Sequence, residues 1–185
     1  MIEDLLTIHE LSRPGRKSRR PKRSITLHWT QWPKATAKMV RDNWEFKKTL
    51  EIHRDPTGDY VVIKGEKTLT ADLFGSAHIC VDSDTELLAV PLNEDAYHTG
   101  VPIGNETSIG IELAVLDMTG RMAPEVVERA VKLCARLCVE HSIDPGKILR
   151  HYDWSQKVCP RWYVEHPGDF EQFKKDVKDL LLRPA

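Results

Sequence analysis

The residues of this chain best suited to chemistry are two histidines and a cysteine that lie far apart in the sequence. The stretch HYDWSQKVCP holds an imidazole at His151 and a thiol at Cys159. Both bind Zn²⁺ once the histidine is neutral and the cysteine is deprotonated. A catalytic zinc takes three protein ligands and keeps one position open for water, so a third donor must come from elsewhere. His28, near the end of the apolar run ITLHW, is the best candidate, because a strand would deliver its side chain to a sheet edge.

Further polar residues lie where they could share a cleft with these ligands. Glu112 falls within the apolar run SIGIEL, and a buried acid is costly unless it is paired, hydrogen-bonded or beside a metal. Lys157 precedes Cys159 by two residues, and His78 and His98 are expected at strand edges or in loops. Residue type alone leaves packing as a competing explanation for each of them. Three tryptophans could wall a groove for sugar or peptide, or equally belong to the core: Trp29, Trp32 and Trp154.

Length and composition are typical of one globular domain. The chain has 185 residues, of which 41% are hydrophobic and 30% are charged. No apolar run approaches the ~20 residues that cross a bilayer, which argues against membrane insertion. The N-terminal segment contains acids and lacks the apolar stretch of a secretory signal, so we expect synthesis in the cytoplasm. In that reducing compartment we expect the four cysteines to stay unpaired: Cys80, Cys134, Cys138 and Cys159.

Positive charge is concentrated in residues 13–23, which contain seven lysines and arginines and no acid. One interpretation is a patch for a polyanion, either nucleic acid or an anionic wall polymer. The interpretation we favour is a solvated basic arm at 1–23 that leads into the first strand, because no aromatic stacking residues are interleaved with the charges.

Hydrophobic periodicity predicts strands mixed with helices. We expect strands at 24–29, 60–63, 65–70, 77–81, 86–91, 108–116 and 148–151, and helices at 36–53, 124–141 and 169–182. Thr36 suits an N-cap, Pro124 suits a first helical position, and residues 55–58 form a turn signal. The run 108–116 should be a central strand that is buried on both faces. Together these elements predict an α/β fold: a single three-layer domain with a central mixed β-sheet flanked by helices.

Taken in order, the segments LHW, SAHICVD, PLNEDAYHTG, SIGIEL and HYDWSQKVCP resemble the zinc-dependent N-acetylmuramoyl-L-alanine amidases of the type-2 amidase family. That family includes phage endolysins, bacillary autolysins, T7-type lysozyme and the peptidoglycan recognition proteins. The resemblance covers about residues 20–175, and the order of the motifs is more specific than any one of them. It implies a peptidoglycan recognition protein-like fold, with the catalytic domain at 24–183.

The resemblance also implies a role for each motif residue. Glu112 matches the acid of the family's IGIE motif, and Lys157 matches the lysine that stands two residues before the third ligand. His98 matches the histidine of a W/Y-H-x-G loop beside the substrate groove, where Trp29 and His78 are also expected to contact substrate. The residues matching the three zinc ligands are His28, His151 and Cys159.

The reaction implied by this resemblance is hydrolysis of the amide between N-acetylmuramic acid and L-alanine in peptidoglycan. Zinc lowers the pKa of its bound water to about 7, Glu112 would transfer the proton to the leaving amine, and Lys157 would stabilise the oxyanion. The chain departs from T7-type members in one respect. They have a tyrosine just before the residue equivalent to His78, whereas this chain has Ala77, so Glu112 is expected to take over as in the endolysin branch.

Three other functions compete with this one. A non-catalytic peptidoglycan recognition protein generally lacks the cysteine ligand, and a cytosolic amidase that recycles anhydro-muropeptides uses an aspartate in its place. A purely structural zinc module would need a fourth protein ligand, for which the sequence near the motifs offers no convincing candidate. Cys159 therefore favours a wall-lytic amidase from a phage or prophage. We expect a monomer that acts on the wall after release by a holin or by lysis, without nucleic-acid or membrane partners.

Overall fold

The structure is a computed structural model that describes residues 1–50 and 74–182, together with the backbone of three strands between them. The strands are β1 (Ile2–Glu3), β2 (Ser24–Trp29), β3 (Ile52–Arg54), β4 (Tyr60–Lys64), β5 (Lys67–Leu69), β6 (Ile79–Val81), β7 (Glu86–Leu88), β8 (Ser108–Leu113) and β9 (Ile148–Arg150). The helices are α1 (Ala37–Phe46), α2 (Pro102–Thr107), α3 (Pro124–His141), α4 (Tyr152–Ser155), α5 (Arg161–Glu165) and α6 (Pro167–Leu181), with 3-10 turns at Lys47–Thr49 and Pro145–Lys147. Within the described residues, no helix combines the length and the apolarity needed to cross a membrane.

In the part of the chain that the structure describes, six strands form one mixed sheet in the order β1-β7-β6-β8-β2-β9. Strand β8 lies inside the sheet and pairs in parallel with β2 on one side and β6 on the other. Strands β6 and β7 are antiparallel, and β3, β4 and β5 form a separate antiparallel sheet. The predicted α/β fold, with a central mixed sheet flanked by helices, is confirmed.

Alternation along β2 and β8 gives the sheet one apolar and one polar face, because successive side chains of a strand point to opposite sides. The apolar residues of both strands pack with α3 and α6 in the main core: Ile25, Leu27, Trp29, Ile109, Ile111 and Leu113. The residues between them, including His28 and Glu112, consequently project from the opposite face. A second apolar cluster joins α1 to the N-terminal segment and contains Leu6, Val40 and Trp44.

The two predicted helix starts are present in the structure. The Thr36 hydroxyl accepts a hydrogen bond from the Met39 amide at 3.2 Å, which satisfies one of the free N–H groups of the first turn of α1. Pro124 occupies the first turn of α3, where its missing N–H costs no helical hydrogen bond. All four cysteines lie within the described residues, are buried and carry free thiols, as expected.

The N-terminal segment packs on the domain along part of its length, although most of the basic side chains that were expected to be solvated are exposed: Arg16, Lys17, Arg19, Arg20 and Arg23. Strand β1 pairs in parallel with β7, and the side chains of Leu6 and Leu11 are buried. The guanidinium of Arg13 pairs with the Glu94 carboxylate at 2.8 Å, and the ammonium of Lys22 donates to two backbone carbonyls. Acids that are distant in sequence thus neutralise part of the basic run and hold it against the domain.

Several element boundaries also differ from the prediction. The helix predicted to reach residue 53 ends at Phe46 and is followed by a 3-10 turn and then β3. Strand β8 ends at Leu113, because the next residues turn and the Leu116 amide donates to the Arg121 carbonyl. The short elements β1, α2, α4 and α5 were not predicted. The turn signal at residues 55–58 and the outer ends of the strand predicted at 65–70 lie outside the described residues.

Candidate metal centre

The site begins with the register of two neighbouring parallel strands. His28 of β2 is the register partner of Glu112 of β8, so both side chains leave the polar face of the sheet at the same level. His28 is 2% exposed. Strand β9, on the other side of β2, ends immediately before His151, whose amide donates to the Leu27 carbonyl at 3.2 Å. Sheet pairing alone therefore brings two histidines and an acid together.

The third donor, a sulfur, arrives through a tight return of the chain after α4. Gln156 adopts a left-handed backbone conformation with φ of 61°, which ends the helix and reverses the chain direction. The Tyr152 amide then donates to the carbonyl of Cys159 at 2.9 Å and closes the loop. This return places the buried thiol of Cys159 beside the imidazole of His28.

The three side chains converge closely enough to share one ion. The Nδ1 atoms of His28 and His151 are 3.1 Å apart, and the Cys159 sulfur lies 3.7 Å from Nδ1 of His28. All three donor atoms lie within 4.8 Å of one another, and all three residues are buried. These residues could therefore hold a metal ion.

The second nitrogen of the His28 imidazole is also engaged, as is usual for histidines that bind metals. Nε2 of His28 lies 3.1 Å from Nδ1 of His98. The backbone of Thr99 acts on the ring of His151 and opposes the lowering of its pKa. Asp153, two residues after His151, is paired with Arg150 at 2.7 Å.

Burial keeps these three donors uncharged. It lowers the pKa of His28 well below its ordinary value and that of His151 to about 4, so both rings are neutral and have a free lone pair. Burial also raises the pKa of the Cys159 thiol well above its ordinary value, with Glu112 adding to the shift. A thiolate would form there when a metal cation replaces the proton.

Glu112 and Lys157 both border this cluster. Burial raises the pKa of Glu112 to about 8, while the ammonium of Lys157 opposes the shift. Among the described residues, Oε2 of Glu112 is a buried oxygen without a hydrogen-bond partner. Lys157 is exposed, and its charge contributes to the pKa shifts of both histidine donors. An acid with an unused oxygen and a cation thus border the metal-binding group.

The cluster opens into a cleft of about 410 Å³. Sequence reasoning identified its ligand end but missed the rest of its wall, which includes Trp44, Phe74, Tyr97 and Ser155. The rings of Phe74 and Tyr97 meet edge to face with centroids 5.4 Å apart. The position of Tyr97 directly before His98 was the available signal for this wall.

The remaining predicted residues differ in how they reach the cleft. His98 is 5% exposed and lines the cleft. Trp29 also lines the cleft, although its indole packs mainly in the core. His78 is fully buried and is absent from the cleft wall. Its Nδ1 accepts from the Gly110 amide at 2.9 Å, and its Nε2 donates to the Glu94 carbonyl at 3.0 Å. Both nitrogens of His78 are therefore occupied within the protein.

Comparison with known proteins agrees with this geometry. A sequence profile for N-acetylmuramoyl-L-alanine amidases matches residues 18–162. The N-acetylmuramoyl-L-alanine amidase CwlL of Bacillus licheniformis is 29% identical over 191 residues, which cover 98% of this chain and 47% of the relative. The N-acetylmuramoyl-L-alanine amidase BlyA of Bacillus subtilis strain 168 is 31% identical over 192 residues, covering 94% of this chain and 45% of the relative. The chain thus spans about half the length of these curated relatives.

Solved structures share the fold. The catalytic domain of XlyA superposes with a TM-score of 0.68 at 24% identity, covering 95% of this chain and 97% of that one. The solution structure of the PlyG catalytic domain gives a TM-score of 0.69 at 20% identity, covering 100% and 98%. The resemblance that the ordered motifs indicated is therefore confirmed. Because the profile matches residues 18–162, well over half of this chain, the chain belongs to the N-acetylmuramoyl-L-alanine amidase family.

Proposed function

We propose that this chain is a zinc-dependent amidase that hydrolyses the bond between N-acetylmuramic acid and L-alanine in bacterial peptidoglycan. The observation that carries the proposal is the convergence of His28, His151 and Cys159 beside Glu112 in one cleft. The names of the relatives support the same reaction. This chain spans about half of the length of those relatives.

Zinc is the metal that best fits the three donors. Imidazole nitrogens and thiolates are both usual zinc ligands, and three protein ligands are the number found at catalytic zinc sites. A structural site would use four, and the metal-binding group found among the described residues contains three: His28, His151 and Cys159. When bound, the ion would supply Lewis-acid stabilisation and a nucleophile at neutral pH.

Glu112 is the residue to which we assign proton transfer. Its carboxylate would accept a proton from the attacking water and deliver it to the leaving amine of L-alanine. The unused Oε2 and the pKa of about 8 support this role, because an acid–base group works best with a pKa near the operating pH. The register with His28 fixes the carboxylate beside the ligands.

Lys157 is the residue to which we assign stabilisation of the oxyanion. It lies on the loop between α4 and Cys159, lines the cleft, and acts electrostatically on the metal-binding group. A cation held where negative charge develops in the transition state lowers the barrier and so raises kcat. A cation that bound the substrate and the transition state equally well would lower KM only.

The walls of the cleft would hold the sugar and the peptide. We propose contacts from Trp29 and His98, and add the edge-to-face pair of Phe74 and Tyr97 as an apolar wall. His78 is not included in this contact set, because its nitrogens are used inside the protein.

We further propose that residues 24–183 are the catalytic domain and that this domain works as a monomer at the bacterial wall. The profile match at residues 18–162 includes most of this range and supports the proposed domain. The N-terminal segment packs on this domain through the pairing of β1 with β7 and through the side chain of Leu6.

Digestion of purified Gram-positive sacculi tests the proposed reaction. The amidase should release new L-alanine amino groups, create no new reducing sugar ends, and lose activity on treatment with a chelator until zinc is restored. New reducing ends without new amines would identify a glycosidase instead. Turnover of soluble anhydro-muropeptides with intact sacculi left uncut would indicate the recycling reaction.

A further inference from the structure

We propose that a basic pocket beside the start of β2 binds the phosphodiester groups of an anionic polymer attached to the bacterial wall. The pocket has a volume of about 550 Å³. Five of the residues that line it have side-chain nitrogens suited to an anion: Arg19, Arg20, Lys22, Asn93 and His141. The choice of a wall polymer rests on the proposed function, whereas the prediction that phosphate groups bind here depends on the pocket alone.

Lys22 supplies a desolvated positive charge at this pocket. The residue is only 7% exposed, and its ammonium donates to the backbone carbonyls of Glu94 at 3.0 Å and Glu106 at 2.9 Å. Burial lowers the pKa of Lys22 to about 8, because the carboxylates of Asp95 and Glu106 offset the desolvation only in part. An anion bound in the pocket would complete this charge compensation.

Two exposed arginines border the pocket. The guanidinium of Arg20 is paired with Glu106 at 3.3 Å, and its side chain is 60% exposed. Arg19 is also exposed, and its backbone amide donates to the Glu106 carboxylate at 2.9 Å. Among the described residues, the guanidinium of Arg19 has no acidic partner. Because a guanidinium offers a planar set of N–H groups that matches two phosphate oxygens, the border of the pocket presents suitable donors.

The backbone around the pocket is held in place by the protein itself. The Ser18 amide donates to the Asn93 carbonyl at 2.9 Å, and the Ser18 hydroxyl donates to the Asp95 carboxylate at 2.8 Å. At the other end of the segment, the Arg23 amide donates to the Thr107 carbonyl at 2.8 Å. Binding therefore has to order only side chains, which keeps its entropic cost low.

Positive charge is concentrated at this end of the molecule. Residues 13–23 contain seven basic residues, and three acids pair with them: Glu94, Asp95 and Glu106. Removing these groups from the totals of 27 basic and 28 acidic residues leaves 20 basic and 25 acidic residues in the remainder of the chain. An anionic polymer is therefore attracted to the basic pocket and repelled by the remainder of the protein.

The basic pocket and the metal-binding group lie at opposite ends of β2. Lys22 precedes Ser24, the first residue of the strand, whereas His28 and Glu112 are partners near its other end. Ser24 and His28 are four positions apart, or about 13 Å along a strand. A polymer could thus occupy the pocket while peptidoglycan occupies the cleft, and binding at two places would strengthen attachment to the wall.

The lining of the pocket favours a polymer without bases over a nucleic acid. Proteins that bind single-stranded nucleic acids usually combine basic residues with aromatic side chains on which the bases stack. Among the described residues, the lining contains no tryptophan, tyrosine or phenylalanine. Poly(glycerol phosphate), a polymer of Gram-positive walls, has one negative charge in each repeat and no base that requires stacking. We therefore assign the pocket to this class of polymer.

A double variant separates the pocket from the effect of net charge. Arg19→Gln/Arg20→Gln removes two cations of the pocket, whereas the control Lys175→Gln/Lys178→Gln removes two exposed lysines of α6. Purified poly(glycerol phosphate) is titrated into each full chain at low salt. We expect Kd to rise at least about fivefold in the arginine variant and to change less than about twofold in the control. Turnover of a soluble muramoyl peptide should be equal in all three proteins, because none of these four residues lines the cleft.

Binding to two kinds of sacculi gives the second measurement. The parent protein should bind sacculi that keep their phosphodiester polymer more tightly than sacculi stripped by hydrofluoric acid, and the arginine variant should lose this difference. Equal Kd values in the parent and the arginine variant, or equal losses in both double variants, would overturn the proposed pocket.

Two further outcomes concern the ligand and the enzyme. Tighter binding of a single-stranded oligodeoxynucleotide than of poly(glycerol phosphate) would overturn the choice of polymer. If the polymer binds through the arginines while sacculi remain uncut, the pocket stands and the proposed amidase reaction fails.

Discussion

His28 and Glu112 are register partners on the adjacent parallel strands β2 and β8. This pairing fixes the imidazole of a proposed metal ligand and a carboxylate side by side on the polar face of the sheet, before any loop contributes. The adjacent β9 delivers His151, and the return after α4 delivers Cys159. The sheet therefore sets the positions of the acid and of two ligands, and the loop completes the group.

The first prediction concerns Glu112. We expect Glu112→Gln to bind zinc as well as the parent protein does but to lose a factor of roughly 10²–10⁴ in kcat, because the amide cannot carry the proton. The matched control Glu125→Gln changes an exposed acid of α3 and should retain full activity. Assays on sacculi and zinc analysis of the same samples provide the check. Undiminished turnover in the Glu112→Gln variant would exclude a role for this carboxylate in proton transfer.

The second prediction concerns the sulfur ligand. Cys159→Ala should lower the zinc content from about one ion per chain to near zero, because two histidines alone bind the metal weakly. Cys138→Ala removes a buried thiol of α3 that packs in the core, and it should keep the metal. Elemental analysis of both proteins after dialysis distinguishes the two thiols. Full zinc content without Cys159 would contradict the ligand assignment.

The third prediction concerns Lys157. Lys157→Met should reduce kcat roughly 100-fold, equivalent to about 3 kcal/mol of barrier, while the zinc content stays unchanged. The control Lys147→Met replaces an exposed lysine in the 3-10 turn before β9 and should have no such effect. Steady-state kinetics on a soluble muramoyl peptide would show the loss in kcat. A change in KM alone would assign Lys157 to substrate binding.

The fourth prediction is a pH dependence of stability that comes from Lys22. Burial lowers the pKa of this ammonium to about 8, although the carboxylates of Asp95 and Glu106 oppose the shift. The pKa of Lys22 is lower in the folded protein than in the unfolded chain, so at a pH between the two values the unfolded chain binds more protons. The contribution of Lys22 to stability therefore rises as the pH increases from about 8 to about 10.5. The gain is at most about 3 kcal/mol.

Urea unfolding of the parent protein and of Lys22→Met at several pH values measures this contribution. The methionine cannot titrate, so the difference between the two free energies of unfolding should change across that interval and be constant below it. Parallel pH curves would show that Lys22 titrates normally in the folded protein. Other titrating groups affect both proteins equally and cancel in the difference.

The strand and helix patterns predicted much of the fold. The alternation in ITLHW and SIGIEL identifies β2 and β8, and the helical stripe after Pro124 identifies α3. The end of α1 was misjudged because the next turn signal in the sequence lies at residues 55–58, whereas the chain leaves the α-helix after Phe46 for a 3-10 turn. Such a boundary depends on tertiary contacts that the local pattern does not contain.

The predicted site was similarly incomplete. The motif order brought His28, His151 and Cys159 forward as a set, and the structure brings their donor atoms together. The hydrogen bonds of His78 to backbone groups of Gly110 and Glu94 could not be predicted, because they join segments that are far apart in the chain. For the same reason the packing of the N-terminal basic run against distant acids was missed.

X-ray absorption at the zinc edge of the loaded protein tests the central claim most directly. The account predicts one sulfur donor at about 2.3 Å and two imidazole nitrogens at about 2.0–2.1 Å, with the sulfur signal lost in Cys159→Ala. A spectrum with two sulfurs, with three imidazoles, or with an unchanged sulfur signal in that variant would contradict the assignment of His28, His151 and Cys159 as the zinc ligands.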